Sequence, residues 1–144
     1  MTIRKALPED GLAVGQIHVL CRREMPYAPS PHSEKEIVGY FADHVVPAGE
    51  TYVAEREGAV VAYLTLSPGW IDHLYVRPEA QSQGIGNALL ALAKETNPAG
   101  LQLWTFQGNG GARRFYEHHG FHIAEMTDGE ENEEKSPDVR YTWP

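Results

Sequence analysis

The chain has 144 residues, with 12 basic and 20 acidic side chains and a net charge of −8. This length predicts a single domain over residues 1–144, and the acidic balance argues against nucleic acid as a partner. The single cysteine excludes an internal disulfide, and the absence of long apolar runs predicts a cytoplasmic protein with no membrane partner.

The first half of the chain predicts a strand, two helices and three further strands. Thr2–Ala6 is a short strand, and Pro8-Glu9-Asp10 opens a helix to about Glu24 because proline and acids suit a first helical turn. Prolines make the next residues irregular, and the capping-box pair Ser33 and Glu36 opens a second helix to about Val46. The three strands are Thr51–Arg56, Ala59–Ser67 and Trp70–Val76.

The second half predicts alternating helices and strands. They are the helix Ile85–Glu95, the strand Leu101–Phe106, the helix Asn109–His119, and the strands Phe121–Thr127 and Asp138–Thr142. This mixture predicts an α/β or α+β sheet with helices on both faces. Residues 128–134 contain five acids, and such a run indicates either a solvated hairpin or a surface that attracts a cationic amine.

A strand, a glycine-containing loop and a helix follow one another between Ile71 and Asn87. The sequence there is IDHLYVRP and then QSQGIGN. The free N–H groups of a first helical turn bind phosphate or pyrophosphate, and glycines leave room for the ligand. A tight turn without a ligand is the alternative interpretation. The loop lacks both the Gly-Lys-Ser/Thr of a Walker loop and a complete GxGxxG, which argues against another nucleotide-binding class.

A second stretch, from Asn109 to Phe121, reads NGGARRFYEHHGF. Together with QSQGIGN it resembles the GNAT superfamily of acyl-CoA-dependent N-acyltransferases. The superfamily signature is a Q/R-x-x-G-x-G/A turn before one helix and an N-x-x-A-x-x-x-Y-E-x-x-G-F pattern on a later one. The resemblance covers nearly the whole chain. It implies the GNAT fold, with a mixed central sheet of six or seven strands splayed at the cofactor site, and acetyl-CoA as co-substrate. No metal is expected, because Gly120-Phe121 ends the helix between His119 and His122 and no other ligand cluster accompanies these histidines.

The resemblance also implies a site for each part of CoA. Backbone groups of Leu74, Tyr75 and Val76 would pair with the pantetheine arm. Asn109 and Ala112 would contact CoA at the start of the last helix, where Asn109 also suits a helix cap. The turn that would hold the pyrophosphate comprises Gln81, Ser82, Gln83, Gly84, Ile85, Gly86 and Asn87.

For catalysis, the resemblance implies that Tyr116 protonates the departing thiolate of CoA. Asp72 and His73 are candidate bases, with a water relay or a purely structural role as alternatives. Strand alternation places His73 on the face of Ile71 and Tyr75, unless a bulge disturbs it. Cys21 is expected away from the motif, so we expect direct transfer without a covalent cysteine intermediate.

The acceptor is expected to be a small-molecule amine or a peptide amine. Glu24, Tyr27 and His32 are the candidate contacts, because the first two helices, their connection and the last strand pair would line that site. The resemblance allows a homodimer. It also leaves the alternative of a catalytically silent module that binds CoA as a sensor or scaffold.

Overall fold

The computed structural model describes all of residues 1–144, and its elements follow the predicted order closely. Proline and acidic residues open the first helix through one 3-10 turn, Pro8–Asp10, and Ser33 caps the second by accepting from the Glu36 N–H at 3.1 Å. The helices are α1 (Gly11–Arg23), α2 (Glu34–Tyr40, continued by a π-helical turn, Phe41–Val45), α3 (Ile85–Thr96) and α4 (Gly110–His118). The strands are β1 (Thr2–Lys5), β2 (Thr51–Arg56), β3 (Ala59–Ser67), β4 (Trp70–Val76), β5 (Leu101–Phe106), β6 (His122–Thr127) and β7 (Asp138–Trp143).

The seven strands form one mixed sheet in the order β1-β2-β3-β4-β5-β7-β6. Every neighbouring pair is antiparallel except β4 and β5, which run parallel. These two strands are paired only at Trp70 and Gln102, near the start of each. Beyond that point they separate, which confirms the predicted splay in the middle of the sheet.

Helices cover the sheet on both faces and enclose two apolar cores. The larger core packs α3 and α4 against the sheet and contains Leu64, Leu89, Leu103 and Tyr141. The smaller core, which includes Ile17, Phe41 and Tyr63, lies under α1 and the π-helical turn. None of the helices has the length and apolar character needed to cross a membrane.

A register shift in β4 corrects the predicted alternation. His73 is opposite Thr65 and Ile71 is opposite Leu66, which leaves Asp72 as the extra residue of a bulge. Ile71 therefore packs into the larger core, whereas Tyr75 packs against the smaller core and the His73 ring lies 5.1 Å from that of Phe41. The simple alternation that would place Ile71 on the face of His73 and Tyr75 does not hold, because the bulge named as its exception is present.

Candidate active site

The gap between β4 and β5 opens into a cleft of about 1020 Å³. β4 forms one wall, the start of α3 lies at one end, and α4 closes the cleft from the side of the larger core. The end of α1 and the segment after it border the cleft from the face of the sheet that carries the smaller core. The cleft therefore brings together the two sequence motifs, which are separated in the chain by the rest of α3 and by β5.

The open edge of β4 carries backbone groups that the sheet does not use. The Arg77 N–H donates to the Val61 carbonyl of β3 at 2.8 Å, so the alternation of a strand turns the N–H groups of Leu74 and Val76 toward the gap. The Val76 carbonyl accepts from the Gln81 side chain at 3.0 Å and from the Cys21 thiol at 3.2 Å. The Val76 N–H is thus left for a ligand in the cleft.

The turn before α3 has the backbone geometry that its glycine predicts. Gly84 has φ of +85° at the position preceding the helix, a conformation that favours glycine. Most of the predicted pyrophosphate-binding residues line the cleft: Gln81, Ser82, Gly84, Ile85, Gly86 and Asn87. Gln83 does not, because its side chain turns away to accept from Arg56.

Gly86 is a second informative glycine, because the protein around it does not require one. A Cβ at Gly86 would lie 3.5 Å from the Phe115 ring and 4.0 Å from Val76, which are ordinary contacts. Gly86 lies in the first turn of α3 and on the wall of the cleft. The space beside it is therefore open to a ligand and is not filled by packing.

The start of α4 forms the neighbouring wall. The Asn109 side chain accepts from the Ala112 N–H at 3.1 Å, which confirms its predicted role as a helix cap. Asn109 and Ala112 both line the cleft. Of the two following arginines, Arg113 donates to the Tyr141 hydroxyl at 3.1 Å, whereas Arg114 lines the cleft. Arg114 supplies positive charge next to the start of α4.

Tyr116 projects from α4 into the cleft and is only 7% exposed. Its ring packs against Phe115 and Phe121, with centroid distances of 5.2 and 5.3 Å. Burial raises the pKa of Tyr116, and the nearby Tyr75 hydroxyl raises it further. The hydroxyl therefore keeps its proton at neutral pH and can donate it to an anion that forms in the cleft.

The two candidate bases on β4 have different surroundings. Asp72 is exposed and accepts a hydrogen bond from the Ser67 hydroxyl. His73 lines the cleft, but its Nδ1 is buried without a hydrogen-bond partner, and its ring lies 5.6 Å from that of His18. Burial lowers the pKa of His73 to about 4. His73 is therefore neutral at pH 7 and a weak base.

The side of the cleft next to the end of α1 is bordered by Glu24 and Tyr27. Tyr27 packs edge-on against Phe106 at 6.4 Å. His32 does not line the cleft: it is exposed, and its Nε2 lies 3.2 Å from a carboxylate oxygen of Glu133. α2 contributes no lining residue, so the expected acceptor wall is reduced to the end of α1 and the segment after it.

Sequence reasoning missed several residues of this cleft, and Cys21 and Trp104 are the most informative of them. Cys21 lies beside Val76, against the expectation that it is remote from the motif, because the last turns of α1 pass over β4. Burial raises the pKa of its thiol to about 12, which disfavours a nucleophilic thiolate. Trp104 of β5 also lines the cleft and is 44% exposed. Strand alternation could have indicated Trp104, because it places this large aromatic residue on the face of β5 opposite Leu101 and Leu103, which are buried.

Charged residues are distributed unevenly along the cleft. The Glu24 carboxylate lines the side near the end of α1 and the Asp72 carboxylate lines the cleft at the bulge of β4, whereas Arg114 of α4 lines the other side. The structure contains no group of three or more His, Cys, Asp or Glu side chains arranged to hold a metal ion. The cleft thus offers a cationic side to an anion and an anionic side to a cation.

Comparison with known proteins gives matches of one kind. A family model described as an acetyltransferase (GNAT) domain matches residues 47–123, just over half of the chain. The peptidyl-lysine N-acetyltransferase YiaC of Escherichia coli is 26% identical over 111 residues, which cover 76% of this chain and 74% of that protein. The probable N-acetyltransferase Rv2775 of Mycobacterium tuberculosis is 46% identical over 80 residues, covering 50% of this chain and 46% of that one.

Solved structures share the whole fold. Apo YjaB from Escherichia coli superposes with a TM-score of 0.80 at 21% identity, covering 99% of this chain and 96% of that one. An N-acetyltransferase from Staphylococcus aureus Mu50 has the same TM-score at 16% identity, covering 99% and 100% of the two chains. At these identities the structures establish the architecture alone.

Proposed function

The chain belongs to the GNAT family of acetyltransferases, and from that premise we propose that it transfers the acetyl group of acetyl-CoA to a primary amine by direct attack in a ternary complex. The observation that carries this proposal is the cleft that opens where β4 and β5 separate. It has a free strand edge, a helix start with an open glycine wall, and a buried tyrosine along one continuous surface.

In this proposal, the cationic side of the cleft holds the CoA pyrophosphate. The first-turn N–H groups of α3 would bind the phosphate oxygens, with Arg114 adding charge. Gly86 leaves the space through which the pyrophosphate approaches the backbone. The pantetheine arm would run along β4 as an added strand, bound by the N–H groups of Leu74 and Val76.

The acyl transfer then needs three proton or charge adjustments. A neutral amine attacks the thioester carbon, and a backbone N–H at the open edge of β4 stabilises the oxyanion that forms. The carbon–sulfur bond breaks, and the departing thiolate takes the proton of Tyr116. Because His73 is a weak base that packs toward α1, we assign the amine proton to water beside Asp72.

We further propose that the acceptor is a cationic amine, such as a lysine side chain, which enters from the side of the cleft near α1. Glu24 carries negative charge there and Asp72 carries it at the bulge of β4, and neither is in an ion pair. Tyr27 and Trp104 are exposed aromatic side chains at the same cleft and can pack against an alkyl chain or an ammonium group. The similarity to a peptidyl-lysine N-acetyltransferase supports this acceptor class.

Release of CoA thiol from acetyl-CoA tests this proposal. The acceptors to compare are a peptide with one lysine and a blocked N-terminus, spermidine, and an uncharged amide as the negative control. We expect thiol release that depends on a cationic amine, with an N-acetylated product detected by mass spectrometry. Binding of acetyl-CoA without transfer to any amine would support a silent cofactor-binding module, and preference for acidic or uncharged amines would contradict the acceptor class.

A further inference from the structure

Arg22, in the last turn of α1, is a buried cation that is only partly paired. Its side chain is 11% exposed, and its Nη2 donates to the Ala28 carbonyl at 2.6 Å and to Glu134 at 3.4 Å. The Nε atom is buried without any partner. The guanidinium carbon lies 5.3 Å from the centre of the Phe106 ring at the end of β5.

This arrangement is a poor way to gain stability. A buried charge needs good hydrogen bonds on all sides to offset its desolvation, and Arg22 leaves one donor unused. The next residue, Arg23, makes a better ion pair in the open, with two bonds to Glu34 at 2.6 and 2.7 Å. The burial of Arg22 is therefore better explained if the side chain holds neighbouring segments in place than if it adds to the stability of the fold.

The groups that Arg22 contacts belong to separate segments around the proposed acceptor site. Ala28 directly follows the cleft residue Tyr27, and the ring of Tyr27 packs against Phe106. Glu134 belongs to the acidic segment, residues 128–134, whose Glu133 also reaches across to His32. Arg22 thus contacts the segment after α1, the end of β5 and the acidic segment with a single side chain.

The charges of Arg22 and Glu134, which form a junction between these segments, act on side chains that line the cleft. Both Arg22 and Glu134 act on the hydroxyl of Tyr75, which lines the cleft: the arginine lowers its pKa and the glutamate raises it, while burial sets the pKa at about 12. The Arg22 charge also lowers the pKa of Tyr27, against the raising effect of burial. Two lining tyrosines therefore sense the charges of the junction.

We propose that Arg22 is a positioning residue for the acceptor, which ties residues 25–28, with the lining side chains of Met25 and Tyr27, to the acidic segment behind them. On this account, the acidic segment supports the cleft wall through the contact of Glu134 with Arg22, and it does not attract a cationic amine directly. The inference rests on the proposed amine acetylation, because it assigns this wall to the acceptor.

The test compares Arg22→Met and Arg22→Lys with the matched control Arg23→Met, which removes the exposed ion pair one residue later. With the lysine peptide as acceptor, Arg22→Met should raise the acceptor KM about tenfold, with kcat within about twofold and the acetyl-CoA KM unchanged. Arg22→Lys should recover part of the loss, because it keeps the charge but reaches fewer partners. Arg23→Met should resemble the unaltered protein.

A second variant, Glu134→Gln, covers the case in which Arg22→Met does not fold. It should raise the acceptor KM in the same direction, and the double variant should be no worse than Arg22→Met alone. An additive double variant, or a loss of kcat with an unchanged acceptor KM, would overturn the inference.

Hydrogen–deuterium exchange on the full chain decides the same point without an acceptor. Backbone amides of residues 25–32 and 128–137 should exchange faster in Arg22→Met and Glu134→Gln than in Arg23→Met. Unchanged exchange in both segments would overturn the inference even if acetylation is observed. Failure to bind acetyl-CoA would overturn the proposed function and leave the exchange result to judge Arg22.

Discussion

At the scale of single residues, Gly86 is a glycine that the packing of the fold does not require but that a ligand in the cleft would require. Its open side meets only ordinary contacts, and its φ is not in the left-handed region. A glycine in a helix costs up to about 1 kcal/mol relative to alanine. A small destabilisation is therefore tolerated at a cleft wall, which fits a position that a ligand approaches closely.

Replacement of Gly86 by alanine should have opposite effects on stability and on binding. The unliganded protein should become more stable, by up to about 1 kcal/mol, while the affinity for acetyl-CoA falls because the Cβ occupies the approach to the first turn of α3. Urea unfolding and calorimetric titration measure the two effects. Gly39→Ala is the matched control, since Gly39 of α2 has no atom within 4 Å of the added Cβ and lies outside the cleft. An unchanged affinity of Gly86→Ala for acetyl-CoA would contradict the proposal that the pyrophosphate binds at this turn.

Tyr116 is the residue on which the acid step depends. Tyr116→Phe keeps the ring that packs against Phe121 but removes the hydroxyl. We expect kcat to fall by about 10²-fold or more, with the affinity for acetyl-CoA unchanged. Tyr40→Phe, which alters an exposed tyrosine on α2, is the control for steady-state kinetics. Equal turnover in Tyr116→Phe and the unaltered protein would assign the proton to another group.

Most residues that a motif placed in the cleft do line it, with Gln83 as the exception. Gln81 and Tyr116 are in motifs with a defined place on a turn or a helix, and both line the cleft. Gln83 and His32 failed to reach it because their side chains turn toward Arg56 and Glu133. Side-chain direction depends on partners far apart in the chain, which local spacing does not reveal.

At the scale of elements, the segment between β5 and α4 fixes the position of Tyr27. The Tyr27 ring lies over Gly108 so closely that a Cβ there would be 2.9 Å from Cδ2 and 3.0 Å from Cγ. These atoms are near the root of the side chain, so the ring cannot move aside by rotation of its tip. Gly108 thus leaves the space that the Tyr27 ring occupies, and so it helps to form the proposed acceptor wall.

Gly108→Ala should therefore displace Tyr27 and weaken the acceptor without changing the cofactor. We expect the acceptor KM to rise severalfold, with the acetyl-CoA KM unchanged, in steady-state kinetics with the lysine peptide. Combining it with Tyr27→Ala removes the clash, so the double variant should be no worse than Tyr27→Ala alone. Additive losses would mean that Gly108 acts on something other than Tyr27.

The elements themselves could be predicted because their boundaries carry strong local signals. Ser33 and Glu36 cap α2, Gly84 opens α3, and Asn109 caps α4, each through a contact or dihedral angle within the same turn. The bulge at Asp72 depends on pairing with β3 and has no local signal in the sequence. The splay of β4 from β5 was likewise available only through the family resemblance.

At the scale of the whole molecule, two partly buried histidines make stability depend on pH. Burial lowers the pKa of His18 to about 3 and that of His73 to about 4, and both rings pack against Phe41 between α1 and the sheet. Their lowered pKa values mean that the unfolded chain binds protons that the folded chain does not between about pH 6.5 and pH 4. The free energy of unfolding is therefore highest above that window, where both histidines are neutral, and it decreases as the pH falls through the window.

Urea unfolding between pH 7.5 and pH 4.5 measures this dependence. The free energy of unfolding should decrease as the pH falls below about 6.5, by up to about 1.4 kcal/mol per pH unit for each histidine. His73→Gln should remove the share of one histidine from the slope, whereas His122→Gln, on the exposed edge strand β6, should not. A slope in His73→Gln equal to that of the unaltered protein would contradict the partly buried, neutral state of His73.

The most direct test of the central claim, that the cleft between β4 and β5 binds acetyl-CoA, is thermal unfolding with and without this cofactor, with NAD and ATP as controls. A ligand at 100 times its dissociation constant adds about 2.7 kcal/mol of stability, so the midpoint should rise by roughly 4–10 °C with acetyl-CoA. Gly86→Ala should reduce the shift at the same ligand concentration. The absence of any shift at millimolar acetyl-CoA, or an equal shift with ATP, would contradict the account.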